Sequence, residues 1–247
     1  MPDGTRVYAV GDIHGRADLL EDLLALIAAD MDSFGGEDCT VVFLGDYLNR
    51  GPGTREVIGR LAAQPLLGAR HVFLRGNHDA LLLNYLDDPG LLPTFLRYGG
   101  SATLASYGVQ VADPAGRVRP DRELHRDFLK ALPADHLEFL KRLALYSVIG
   151  DYLFVHAGIR PGLPLGRQSP VDLISIREPF LSYDGALPYV VVHGHTRVPE
   201  PVVRPARIGI DTGAFKTGRL TSLVLEGSQR RFLATAGAPA EEAAICG

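Results

Sequence analysis

The 247-residue chain holds only two cysteines, Cys39 and Cys246, at distant positions. That leaves no disulfide framework and fits a reducing compartment, the cytoplasm. No stretch of about 18 apolar residues occurs, which excludes a helical membrane span. The opening MPDGTRVYAVGD has neither the basic start nor the apolar core of a signal peptide, so none is expected. Basic residues are not in excess. The net charge of −4 argues against a nucleic-acid polymer as partner. There is no internal repeat and no low-complexity linker. A chain of this size buries about 70–75% of its unfolded surface, so its core needs no staple. With 46% hydrophobic and 22% charged residues, it has the proportions of a soluble globular protein.

What is present is a series of short apolar runs, each closed by glycine and polar residues. They are RVYAVGD (6–12), TVVFLGD (40–46), HVFLRGN (71–77), DYLFVHAG (151–158) and YVVVHGH (189–195). Runs that are apolar almost throughout, rich in Val, Phe and Leu, predict strands buried on both faces. RADLLEDLLALIAADMD (16–32) and TREVIGRLAAQ lie between the first three, with apolar residues at helical spacing. Strand–helix–strand–helix–strand is the pattern of a largely parallel sheet covered by helices.

Residues 80–149 differ. ALLLNYLDD, PTFLRYGGSATLASYG, RELHRDFLKALP and DHLEFLKRLALY predict helices, separated by the turns DDPG and DPAG. They form an inserted helical region expected to rim the site. After residue 200, RIGIDTGA and LTSLVLEG predict strands joined as a hairpin through FKTGR. One domain over residues 1–235 is the simplest organisation, with 236–247 a frayed tail.

Each apolar run ends in a good metal ligand: Asp12 and His14, Asp46, Asn77, His156, and His195. In a parallel sheet the carboxyl ends of the strands lie along one edge, where such folds place their ligands. Six carboxylate, amide and imidazole donors exceed what one catalytic ion takes from protein. They suit two divalent ions about 3.5–4 Å apart, bridged by one carboxylate. The absence of thiolate favours Mn, Fe or Zn over copper or an iron–sulfur cluster.

In order, GDIHG, GDYLNRG, GNHD, a lone His and GHT resemble the motifs of the calcineurin-like metallophosphoesterase superfamily. The similarity is to its phosphoprotein phosphatase type, including the small bacterial enzymes and the phage lambda phosphatase. The resemblance implies a four-layer α/β/β/α sandwich with two mixed β-sheets. It implies that Asp12, His14 and Asp46 hold one ion, with Asp46 bridging to a second held by Asn77, His156 and His195. Arg50 matches the family's phosphate-binding arginine, with Asn77 also at the phosphate. ISIREPFL (174–181) resembles the family's WIRxxFL segment and makes Arg177 a second phosphate contact, with Ser175 where Trp is common. His78 matches the proton donor to the leaving group. The implied reaction is hydrolysis of a phosphate ester by a hydroxide shared between the two ions, with guanidinium forks on the phosphate oxygens.

The expected enzyme is a serine/threonine protein phosphatase acting on phosphorylated protein. The first alternative is a hydrolase of dinucleoside tetraphosphates or other small phosphoesters. The second is a weakly active module that binds phosphate or a protein partner. An open shallow cleft would favour phosphoprotein, and a closed pocket with an aromatic or basic subsite would favour a nucleotide. Taken alone, Asp46 and Arg50 would read as an ion pair in a turn, and Arg177 as a helix cap or a partner of Glu178. His193 reads as a packed histidine and Asp211 as a turn acid. His71, His125 and His136, in polar surroundings, are expected at the surface.

Asn49 departs from the resemblance, since the family usually has Asp there, hydrogen-bonded to the catalytic histidine. Asn can accept the ring N–H but supplies no charge to favour the protonated ring. Activity is therefore expected to be lower than in a typical relative, or its optimum to lie at lower pH. Asn49→Asp should raise activity or move the optimum upward in a pH–rate profile. An unchanged profile would remove Asn49 from the mechanism.

Overall fold

The computed structural model describes residues 1–34 and 38–236. The expected tail lies outside these residues from 237 onward, as does Cys246. Cys39 is a buried free thiol.

Three parallel strands carry the first three motifs: β1 (Thr5–Val10), β2 (Asp38–Phe43) and β3 (Ala69–Phe73). They are linked by α1 (Ala17–Asp32) and α2 (Thr54–Ala62). Then come α3 (Asn77–Asp87), α4 (Leu92–Arg97), α5 (Gly100–Ser106), α6 (Asp121–Ala131) and α7 (Ala134–Lys141). The second half supplies β4 (Tyr146–Ile149), β5 (Tyr152–Val155), α8 (Pro170–Ser175), β6 (Val190–His193), β7 (Val202–Val203) and β8 (Arg207–Gly209). It closes with α9 (Ala214–Thr217), β9 (Thr221–Glu226) and β10 (Gln229–Ala234).

The strands form two mixed sheets, ordered β10-β9-β1-β2-β3 and β4-β5-β6-β8-β7. Side-chain alternation builds the layers. Tyr8, Val10, Val41 and Phe43 pack outward against Leu19, Leu23, Ile27 and Val57 of the helices. Their neighbours Val7, Ala9, Val42 and Leu44 pack inward against Phe154, Val192 and Ile208 of the second sheet. Leu153, Val155 and Val191 face outward again, onto Leu173, Ile176 and Phe180. This is the expected α/β/β/α sandwich. Its last layer is thin, because only α8 and the loops around it cover the second sheet.

Three expectations need correction. RIGIDTGA and LTSLVLEG are not a hairpin. β8 pairs with β6 and β7, whereas β9 pairs with β1 and β10. The Gly213 turn (φ 73°) and α9 carry the chain across from one sheet to the other instead of reversing it. The hairpin lies later, where Gly227 (φ 51°) joins β9 to β10. The last predicted helix also stops early, at Lys141, and β4 follows with exposed Tyr146 and Val148 alternating with half-buried Ser147 and Ile149. Finally, of the three histidines expected at the surface, one is buried and two are half-buried. His136 is buried, its Nδ1 2.8 Å from the Tyr107 hydroxyl. His125 Nε2–H donates to the Leu86 carbonyl at 3.0 Å, and His71 stacks parallel on Phe73. Polar sequence neighbours conceal this for His125 and His136, whose aromatic partners Tyr85 and Tyr107 come from elsewhere in the helical region, whereas Phe73 lies on the same strand as His71.

Candidate active site

The carboxyl ends of β1, β2, β5 and β6 meet at one edge of the two sheets, and the loops leaving them turn back sharply. His14, Asp46, Asn49, Arg50 and His195 have φ between 48° and 70°. Among the described non-glycine residues only Gln64 shares this region. Such backbone is strained by about 1 kcal/mol or more per residue, and here it aims side chains at a common point.

Asp46 stands at that point. Its backbone N–H and that of Gly76 donate to Asp79 Oδ2 at 2.9 and 2.8 Å, and the Tyr47 N–H donates to Asp79 Oδ1 at 3.1 Å. The buried Asp79 carboxylate thereby ties the exit of β2 to the start of α3. Asp46 Oδ1 accepts the His78 backbone N–H at 2.9 Å and lies 3.5 Å from His156 Nε2. Oδ2 lies 3.6 Å from His14 Nε2. His14 and His156 each hold a backbone carbonyl through Nδ1, at Leu48 and Leu44, both 2.9 Å away. These bonds place the proton on Nδ1 and turn a free Nε2 lone pair to the cluster.

Two sets of potential ligand atoms result, each gathered within 4.8 Å: His14–Asp46–His78, and Asp46–His156–His195. Asp46 belongs to both. Asn77 Oδ1 joins the second set, 3.2 Å from His156 Nε2. Asp12 falls outside both groupings, with its two oxygens 3.2 Å from the His195 N–H, and His78 stands in the set where Asp12 is expected. His193 is buried edge-on to Phe180, as a packed histidine should be. Asp211 is a buried turn acid that accepts the Gly213 N–H at 2.9 Å.

The donor set fits divalent cations. His195 Nε2 is buried without a hydrogen-bond partner. Backbone is pressed against the carboxylates: a Cβ on Gly194 would come 2.0 Å from Asp12 Oδ1, and one on Gly76 2.1 Å from Asp46 Oδ1. Burial raises Asp12 well above the carboxylate range, helped by the charges of Asp211 and Asp46, and raises Asp46 to about 7. Burial also lowers His156 to about 4 and His195 to about 3. Carboxyls that resist ionising together, beside imidazoles that resist protonation, are what a bound cation would stabilise.

Both ring nitrogens of His78 face nitrogen atoms, Asn49 Nδ2 at 2.9 Å and Arg50 Nη2 at 3.2 Å. Guanidinium only donates, so Nε2 accepts and a neutral ring carries its proton on Nδ1. The carboxamide then presents its oxygen to Nδ1 and its nitrogen to Thr103 Oγ1, 2.8 Å from the other end. Thr103 Oγ1 also accepts the Asn49 backbone N–H at 3.0 Å and meets the Thr54 hydroxyl at 3.2 Å, so the chain of contacts is satisfied. Burial, with the nearby positive charge of Arg50, lowers His78 to about 3.

Arg50 and Arg177 line one cavity of about 400 Å³ together with His14, Asp46, Asn77, His78 and His195. The positive charge of Arg50 reaches His14, His78 and His195, and that of Arg177 reaches His156 and His195, so both cations stand beside the cluster. The same cavity is lined by Tyr98 and Arg197, which the motifs leave out, and by Thr196 of GHT, which is given no role there. Tyr98 stands edge-on to His78 with ring centres 5.7 Å apart. Arg197 directly follows GHT and could have been noticed there. Nothing in the sequence around Tyr98 points to the site, because α4 and α5 bring it in from the helical region.

A profile of calcineurin-like phosphoesterases matches residues 5–215. The chain belongs to this family. Members are metallophosphoesterases, in keeping with the candidate ligands gathered here. The chain is 28% identical over 233 residues to bis(5'-nucleosyl)-tetraphosphatase PrpE [asymmetrical] of Bacillus velezensis, covering 86% of each protein. It is 30% identical over 158 residues to the symmetrical bis(5'-nucleosyl)-tetraphosphatase of Aromatoleum aromaticum, covering 63% of this chain and 45% of that one. A crystal structure provisionally named a diadenosine tetraphosphatase superposes with a TM-score of 0.64, at 27% identity and 93% coverage of both chains.

Asp79→Asn would set an amide N–H₂ against one of three backbone donors. It should destabilise the protein by about 2–3 kcal/mol, read as a lower urea midpoint at unchanged slope. Metal-dependent phosphoesterase activity should fall at least about 10-fold as Asp46 shifts.

Proposed function

We propose that the protein hydrolyses a phosphoanhydride bond of dinucleoside polyphosphates, with diadenosine tetraphosphate as the type substrate. The relatives at 27–30% identity carry tetraphosphatase names, and none of the three is a protein phosphatase. Tyr98 and Arg197 line the cavity, and an aromatic and a basic side chain there support the nucleotide alternative over the phosphoprotein one.

One observation carries the reading: the group behind His78 is the neutral Asn49, and the group in front is the cationic Arg50. Neither favours a protonated imidazole. A serine or threonine alkoxide is a very poor leaving group and needs a strong acid, which contributes typically 10²–10⁴-fold. A nucleotide leaving from an anhydride ends in a phosphate whose second pKa is about 6, and it departs without one. The polar chain behind His78 therefore suits anhydrides and handicaps esters.

In this reading Asp12, His14 and Asp46 hold one divalent ion, and Asp46, Asn77, His156 and His195 hold the other. Mn²⁺ is the first choice, with Fe or Zn as alternatives. When bound, such a pair supplies Lewis acidity and a water acidic enough to lose its proton near neutral pH. The chain does the rest. Arg50 and Arg177, both at the cavity, offer guanidinium forks to the phosphate oxygens. Asn49 keeps the proton of His78 on Nδ1, so that Nε2 takes a hydrogen bond from Arg50 and holds its fork in place. Asn77 sits between cluster and phosphate as the first residue of α3.

With Mn²⁺ present, diadenosine tetraphosphate and a phosphoserine peptide at matched concentration should differ in kcat/KM by at least about 10², in favour of the nucleotide. Faster turnover of the peptide would overturn the substrate assignment.

A further inference from the structure

Arg197 is exposed at the cavity that holds Arg50 and Arg177. Among the described residues no carboxylate neutralises it by direct contact: Glu200 pairs with Arg219, and Asp211 is bonded to the Gly213 N–H. Its place is nevertheless defined. Its stem runs over Gly213, where a Cβ would come 3.3 Å from Arg197 Cδ. Its guanidinium lies 5.4 Å from the centre of the Phe215 ring. The same ring carries the Arg50 guanidinium at 4.5 Å and meets His14 edge-on at 5.5 Å. One phenyl group, delivered by the crossover helix α9, thus spaces two cations by cation–π contact.

The carboxylates whose charge reaches these arginines, Asp12, Asp46 and Asp211, are buried, and among the described residues none forms a salt bridge with Arg197, which leaves its fork at the cavity. Beside Arg197, Thr196 lines the same cavity, and its hydroxyl is buried without a hydrogen-bond partner. A guanidinium fork and a hydroxyl on adjacent residues are a donor pair for phosphate oxygens. Arg50 is hydrogen-bonded to His78 beside the candidate ligands, whereas Arg197 stands at the Phe215 ring, so a phosphate held by Arg197 sits next to the one that reacts.

We propose that Arg197 and Thr196, with Phe215 as their prop, bind the phosphate next to the scissile one and so select diphosphate-containing chains over monophosphates. The proposal rests on the substrate reading above and names the residues that enforce it.

The test is titration calorimetry of the Mn²⁺-loaded protein with methylenediphosphonate and with methylphosphonate, which mimic a diphosphate and a monophosphate without being hydrolysed. Free Mn²⁺ is held equal in cell and syringe. The wild type should bind the diphosphonate at least about 10-fold more tightly. Arg197→Ala should bring that ratio to within about 3-fold of unity, and Arg197→Lys, which keeps charge but not the fork, should fall between. A wild-type ratio near one, or a ratio in Arg197→Ala equal to the wild type's, overturns the assignment. If the ratio behaves as expected but diadenosine tetraphosphate is not cleaved, the substrate reading fails and the diphosphate subsite stands.

Discussion

The structure turns on one carboxylate. Asp46 is buried, sits in left-handed backbone and belongs to both groups of candidate ligands. Everything around it serves to hold it there. Asp79 grips its backbone, His78 donates to its side chain, and glycine at position 76 lets the next loop approach it closely. The two sheets bring their carboxyl ends together over a dry interface of Val, Leu, Phe and Ile. Such an interface stabilises by about 25 cal/mol per Å² of apolar surface buried. That is the source that offsets several strained residues and a cluster of buried acids at the edge.

Around this fixed centre, the substrate-facing features are more individual. A neutral amide backs His78, a tyrosine arrives from the helical region, and a phenylalanine on the crossover between the sheets props two arginines. Under the proposed function they favour release of a phosphorylated group over release of an alcohol. In that proposal the hydrolytic centre and the choice of leaving group are carried by different residues, and the second set lies largely outside the motifs.

The candidate ligands were legible because they close five apolar runs, and strand ends converge wherever parallel strands share an edge. Asn49 was legible as a departure from pattern. The destination of β8 was not, since a short apolar run followed by DTG and a polar turn reads equally as a hairpin or as a crossing between sheets. β4 was hidden because Phe139, Leu140 and Leu143 keep helical spacing up to its start. Tyr98 and Phe215 could not be found by pattern at all, being single aromatics placed by tertiary packing. Asp12 was identified by motif, yet its oxygens face the His195 backbone, a detail that depends on how the last loop closes.

The sharing of Asp46 is the central claim, and crystals grown with Mn²⁺ test it directly by anomalous scattering at the manganese absorption edge. The expected result is two peaks about 3.5–4 Å apart, each bonded to an oxygen of Asp46. A single peak, or a second one that does not touch Asp46, would contradict it.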